Sequence, residues 1–142
     1  MKDARRRDIL HLRVAYWVGA VFDALTLVPM LVPAVGASIF GLKHFAPSPA
    51  YQYAMALAAA LMLGWTALLL WADREPLERR GVLLLTILVV VGLAGAGVYA
   101  VASGTIVFDR MVPTWLCQAA ISSYFLFAYW RSGSLGREEP GA

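Results

Sequence analysis

Four long stretches of this chain are almost free of charged residues, at about 12–33, 51–72, 81–103 and 107–130. An apolar run of about 18 residues or more is long enough to cross the hydrocarbon core of a bilayer as an α-helix. The pattern therefore predicts an all-α integral membrane protein, a bundle of four transmembrane helices. No length of chain remains for a second domain, so we expect 1–142 to form a single polytopic membrane domain.

The segments outside these runs predict less regular structure. Residues 34–48 are too short and too rich in glycine to cross a membrane, and their mixture of apolar and basic side chains favours a short interfacial helix or lid. Pro29 and Pro33 predict a kink or an early stop in the first span, because each removes a backbone donor. The tail at 132–142 has the composition of a disordered end.

Small residues recur every four positions on the two middle spans. This spacing lets the backbones of neighbouring helices approach closely. We interpret the two ridges as packing inside the bundle, with contact to another copy of the chain as the alternative. The ridges consist of Ala56, Ala60 and Gly64 on the second span and of Gly92, Ala96 and Ala100 on the third.

Composition supports a membrane protein and excludes an ordinary soluble domain. The chain is 61% hydrophobic and 15% charged, whereas soluble domains carry about 25% charged residues. The formal net charge of +3 does not indicate nucleic-acid binding, because the basic residues are grouped at the ends of the spans. They lie before the first span (Lys2, Arg5, Arg6, Arg7, Arg13), between the second and third (Arg74, Arg79, Arg80) and after the fourth (Arg131, Arg137).

The distribution of basic residues also predicts the orientation of the chain. The other two connections hold only Lys43 with His44, and Arg110 offset by Asp109. Because basic loops stay on the cytoplasmic side, both termini are expected in the cytoplasm. The plasma (inner) membrane of a prokaryote is the expected location, since the loops are minimal.

Residues that hold metals or cofactors are scarce. Cys117 is the only cysteine, so no intramolecular disulfide and no thiolate metal cluster is expected. His11 and His44 lie outside the spans, on opposite sides of the predicted bundle, which excludes a haem held by two histidines inside it. The sequence contains no glycine-rich phosphate loop and no recognisable Ser/His/Asp set. We therefore expect no metal, no cofactor and no catalytic residue.

Asp23 is the only acidic residue deep inside a predicted span. It follows Arg13 by ten positions, and a helix rises about 1.5 Å per residue, so it lies roughly 15 Å into a core about 30 Å thick. Counting from the basic ends of the second and fourth spans puts Trp65 and Ser122 at a similar depth, and Gln118 slightly beyond. An ionisable group at mid-membrane costs at least ~2.5 kcal/mol and is by default a functional-site hypothesis.

Helix periodicity adds further polar groups near the depth of Asp23, and we call this set of groups the polar layer. Tyr16 and Thr26 share the face of Asp23, and Gln118 and Ser122 belong to a polar stripe with Thr114 that we expect to face it. The indole N–H of Trp65 is a second candidate donor. The predicted ligand-binding residues are Asp23, Trp65, Gln118, Ser122, Tyr16 and Thr26.

Three classes of function fit this layer. The first is binding or transport of a small cationic or amphipathic molecule at Asp23. The second is a non-catalytic scaffold or accessory subunit, in which a protonated Asp23 donates to Gln118 or Ser122 and fastens the helices, and the partner is another membrane subunit or a second copy. The third is an enzyme that modifies membrane lipids, which has the least support because no second catalytic group lies near Asp23.

The predicted orientation can be tested with reporter fusions in a bacterial host. Alkaline phosphatase fused after the last residue should be inactive, because its disulfides form only outside the cytoplasm, and green fluorescent protein at the same place should fluoresce. Both results should reverse for fusions placed after Ala46. Phosphatase activity of the C-terminal fusion would contradict the orientation.

Overall fold

The computed structural model describes residues 2–42 and 45–133, with side chains described from residue 6 onward. In these ranges the protein is all-helical and contains no strand. Four of its five helices are long and apolar enough to cross a membrane, which confirms the predicted apolar helices and is typical of a membrane protein. The helices are α1 (Lys2–Leu31), α2 (Pro33–Phe40), α3 (Pro49–Ala72), α4 (Gly81–Ala102) and α5 (Phe108–Gly133).

The first helix differs most from the sequence pattern. It starts at Lys2, ten residues before the predicted start at 12, because the charged segment ahead of the span consists largely of good helix formers. Pro29 lies inside α1 without ending it, and the helix stops at Leu31, just before Pro33. Pro33 is the first residue of α2, where its missing N–H is not needed.

The short helix α2 folds back against the end of α1. A Cβ atom on Gly36 would lie 2.9 Å from the carbonyl oxygen of Pro29, so only glycine permits this approach. Gly41 ends α2 in the left-handed region, with φ 69°. The predicted interfacial helix is therefore shorter than 34–48, while Lys43 and His44, and the predicted disordered tail beyond residue 133, lie outside the described residues.

The long helices pack unevenly along their length. The closest neighbours are α1 with α3 and α5, and α4 with α5. Their common core lies toward one end of the protein, which we call the basal end. The basal end contains the first half of α1 and the places where other helices meet it, around Asp8, Asp73 and Arg131. The core residues are Leu12, Ala15, Tyr16, Ala20, Leu69, Ala72, Leu83, Phe125 and Ala128.

Two ion pairs join α1 to its neighbours at the basal end. Arg131 Nε lies 2.7 Å from Asp8 Oδ1, and only 8% of the Asp8 side chain is exposed. Arg13 Nε lies 3.0 Å from Asp73 Oδ1, and the indole of Trp17 donates to Asp73 Oδ2 at 3.3 Å. Because the ends of α3 and α5 meet the beginning of α1, both helices run antiparallel to it.

The connection between α3 and α4 is fastened to the same end. Tyr16 is fully buried, and its hydroxyl donates to the backbone oxygen of Arg79 at 3.0 Å. The guanidinium of Arg79 lies over the Trp71 ring at 3.5 Å, donates to the Trp71 carbonyl at 2.7 Å and pairs with Glu75. The loop therefore has a defined conformation, set by a side chain of α1.

The small-residue ridges do not pack inside the protein. No described atom lies within 4 Å of a Cβ built on Gly64 or Gly92, and Ala60 and Ala96 are exposed. The interpretation of the ridges as internal packing is thus wrong, because α3 and α4 turn other faces toward α1 and α5. The close approach of α4 to α5 occurs at Gly97, where a Cβ would lie 2.8 Å from Met111 Cε.

Replacing Gly97 by valine should destabilise the protein by about 1–3 kcal/mol, the usual cost of overfilling a packed contact. The same Cβ would lie 2.9 Å from Trp115 Nε1, and an indole ring has little freedom to move. Gly95→Val is the matched control, since its Cβ meets open space. Unfolding in sodium dodecyl sulfate, followed by circular dichroism, measures both variants. Equal stabilities would show that Gly97 is not a packing position.

Candidate functional site

Asp23 lies on α1 with one carboxylate oxygen in the protein interior. Its Oδ2 is buried, and no described group donates a hydrogen bond to it. The neighbouring hydroxyl of Thr26 donates to the backbone oxygen of Asp23 at 2.7 Å. The Thr26 side chain thus bonds to its own helix, as serine and threonine commonly do in apolar surroundings, and does not pair with the carboxylate.

The contact at Gly19 sets the level of Asp23 relative to α3 and α5. A Cβ on Gly19 would lie 3.0 Å from both Leu69 Cδ1 and Phe125 Cζ. Asp23 follows Gly19 by four residues, which is about one helical turn. Because α3 and α5 run antiparallel to α1, the matching positions are four residues earlier on each, close to Trp65 and Ser122.

Two further buried polar atoms lie on α5. Gln118 Oε1 and Trp115 Nε1 have no hydrogen-bond partner among the described residues. The two positions are three residues apart, so their side chains share one side of the helix. Gln118 lies about one turn beyond the level of Asp23, and Trp115 lies against Gly97 of α4.

Trp115 was not among the residues predicted from the sequence. It belongs to a series with Met111, Gln118 and Ser122, spaced by four, three and four residues. That spacing stays on one face of a helix. The polar stripe predicted from the sequence begins at Thr114 and repeats strictly every four residues, so it drifts around the helix. The series contains the buried Met111, and this periodicity could have identified Trp115.

Trp65 and Tyr16 use their donors elsewhere. The Trp65 indole donates to Thr86 Oγ1 at 3.2 Å, and the Thr86 hydroxyl donates to the Val82 carbonyl at 2.8 Å. This bond joins α3 to α4 at the level of the polar layer. The Tyr16 hydroxyl points to the basal loop, and Ser122 is partly buried.

Among the described residues two buried acceptors, Asp23 Oδ2 and Gln118 Oε1, and one buried donor, Trp115 Nε1, have no hydrogen-bond partner. A buried polar atom without a partner costs about 1–3 kcal/mol. An excess of acceptors that includes a carboxylate suits a cation with N–H groups. Within the described residues no three His, Cys, Asp or Glu side chains are grouped so as to hold a metal ion.

Replacing Gln118 by leucine should raise the free energy of unfolding by about 1 kcal/mol, because it removes a buried acceptor that has no partner. Unfolding in sodium dodecyl sulfate measures the effect, with Gln52→Leu, an exposed position on α3, as the control. A loss of stability specific to the Gln118 variant would indicate that the amide oxygen accepts a hydrogen bond from a protonated Asp23.

Comparisons of this chain with known proteins give no relative. No protein-family model matches the chain, and neither a curated protein nor a solved structure does so.

Proposed function

We propose that the four long helices form a bundle in a prokaryotic plasma membrane, with both termini in the cytoplasm, that binds or transports a small cationic or amphipathic molecule beside Asp23. Support for the orientation comes from the basic residues at the basal end. Arg13, Arg79 and Arg131 all engage in contacts there. Such a concentration of cations at one end agrees with the positive-inside bias.

The observation that carries the proposed ligand class is the pair of buried acceptors without donors. A protonated amine supplies both N–H groups and a compensating positive charge to Asp23 Oδ2 and Gln118 Oε1. Hydrogen bonds in which a partner is charged are worth about 1.5–3 kcal/mol. An anion would gain nothing from these two oxygens, so the site favours a cation.

The apolar surroundings add a second requirement on the ligand. Trp65 and Ile121 pack at the edge of the buried core, next to the level of Asp23. A fully hydrated small ion would lose its water there without gaining apolar contact. A molecule with an amine and an apolar body satisfies both parts of the site.

The second candidate is a scaffold in which Asp23 only fastens helices. It is favoured by the exposed small-residue ridges, since Gly64 and Gly92 face open space that another membrane helix could fill. In that function a protonated Asp23 would itself donate to Gln118 or Ser122. Hydrogen bonds of this kind between membrane helices average about 0.6 kcal/mol.

Asp23→Asn separates the two functions, because the amide keeps the shape and a donor but removes the charge. The probe is dansylcadaverine, a fluorescent amphipathic primary amine, titrated into purified protein and followed by fluorescence anisotropy. Asp23→Asn should weaken binding at least tenfold, the factor that corresponds to about 1.4 kcal/mol. Folding, measured by circular dichroism, should be unchanged.

Two controls accompany this titration. Asp109→Asn removes an exposed carboxylate from the first turn of α5 and should leave the affinity unchanged. N-acetylated dansylcadaverine, which is neutral, should bind weakly to every variant. Equal affinity of the wild type and Asp23→Asn for the amine would refute the binding function. A loss of stability in Asp23→Ala, which lacks the donor that Asn keeps, together with normal stability of Asp23→Asn, would support the scaffold.

A further inference from the structure

A groove of about 590 Å³ lies on the outer side of α1 at the basal end, away from the polar layer. Its lining combines three cations with two aliphatic side chains. The lining residue nearest to Asp23 in the chain is Arg13, ten positions earlier, so the groove is separate from the Asp23 site. The described residues that line it are Arg6, Arg7, Ile9, Leu10 and Arg13.

Three of the lining residues belong to a regular stripe along the helix, which Trp17 continues beyond the groove. Arg6, Leu10, Arg13 and Trp17 are spaced by four, three and four residues, so they share one face of α1. This face is opposite to the buried side that includes Leu12, and Leu10 is 58% and Trp17 54% exposed. A large indole and a leucine thus stand uncovered beside arginines at the end of an apolar helix.

The charges in the groove are not equally compensated. Arg13 pairs with Asp73 on α3, at 3.0 Å. Arg6 is exposed and makes no ion pair with any described carboxylate. The groove therefore carries a net positive charge next to Arg6, while Arg13 at its other end is paired with Asp73, and the exposed Trp17 lies just beyond Arg13 on the same face.

With Arg13 neutralised by Asp73, a guanidinium that pairs with no described carboxylate, followed by the exposed Leu10 and Trp17, matches the phosphate and the acyl chain of a phospholipid. A guanidinium binds a phosphate through two parallel hydrogen bonds, and an indole belongs at the boundary between headgroups and acyl chains. The distance along the helix from Arg6 to Trp17 is roughly 16 Å at 1.5 Å per residue, which accommodates a headgroup and the upper part of a chain. Free phosphate would leave the apolar part of the stripe unused.

We propose that this groove binds one anionic phospholipid of the leaflet at the basal end, with its phosphate at Arg6 and an acyl chain along Leu10 and Trp17. Binding does not require the Asp23 site, so the lipid is a partner additional to any amine ligand. The groove faces outward from α1, and its lipid would lie in the ring of lipids around the protein.

Native mass spectrometry of the full-length protein in micelles tests the proposal. The probes are dioleoyl phosphatidylglycerol and dioleoyl phosphatidylcholine, supplied in equal amounts, and the readout is the ratio of the two lipids retained. Phosphatidylglycerol should be retained preferentially. Arg6→Gln should lower the ratio about fivefold, corresponding to ~1 kcal/mol per basic residue at an anionic surface, and Arg6→Lys should restore most of it.

A matched control separates a site from general attraction. Arg74→Gln removes an exposed cation of the α3–α4 loop, outside the groove, and should leave the ratio unchanged. Leu10→Gln should reduce retention of lipid without changing the charge. Equal retention of the two lipids by the wild type, or an equal effect of Arg6→Gln and Arg74→Gln, would overturn the proposal. Displacement of the lipid by millimolar inorganic phosphate would assign the groove to free phosphate instead.

Discussion

The close approach of three helices at Gly19 is the constraint on which the arrangement of the protein depends. Leu69 of α3 and Phe125 of α5 both occupy the space that a larger side chain at this position would need. This contact fixes how far each helix slides along α1. It thereby decides which residues of α3 and α5 reach the level of Asp23, one turn away.

Apolar helices in a membrane gain little from burial, because lipid is as apolar as leucine. The basal end compensates with specific contacts, as Asp73 accepts hydrogen bonds from Arg13 and Trp17 while Tyr16 fastens the loop. Beyond Asp23 the long helices bury few residues, mainly Ala59, Gly97 and Met111. The unpaired polar atoms thus lie where dense packing ends, a region in which a ligand displaces fewer protein contacts.

Sequence patterns predicted the number and the approximate position of the apolar helices, because length and hydropathy determine which segments can cross a bilayer. That Asp23, Trp65 and Ser122 lie at a similar depth follows from counting residues and stays a prediction. The patterns did not predict that Trp65 donates to Thr86, or that the ridge at Gly92 faces outward. Those features depend on how each helix is rotated about its axis. The faces of these four apolar helices differ little in polarity, so the sequence does not determine the rotation.

The ion pair between Asp8 and Arg131 connects positions 123 residues apart. During synthesis the Asp8 carboxylate leaves the ribosome long before Arg131 does. Asp8 lies near the start of α1, where water can solvate it until α5 docks. The pair can close only after α5 has been synthesised and has docked against α1. Docking of α5 therefore completes the burial of Asp8 on α1, so a contact of the first helix depends on the synthesis of α5.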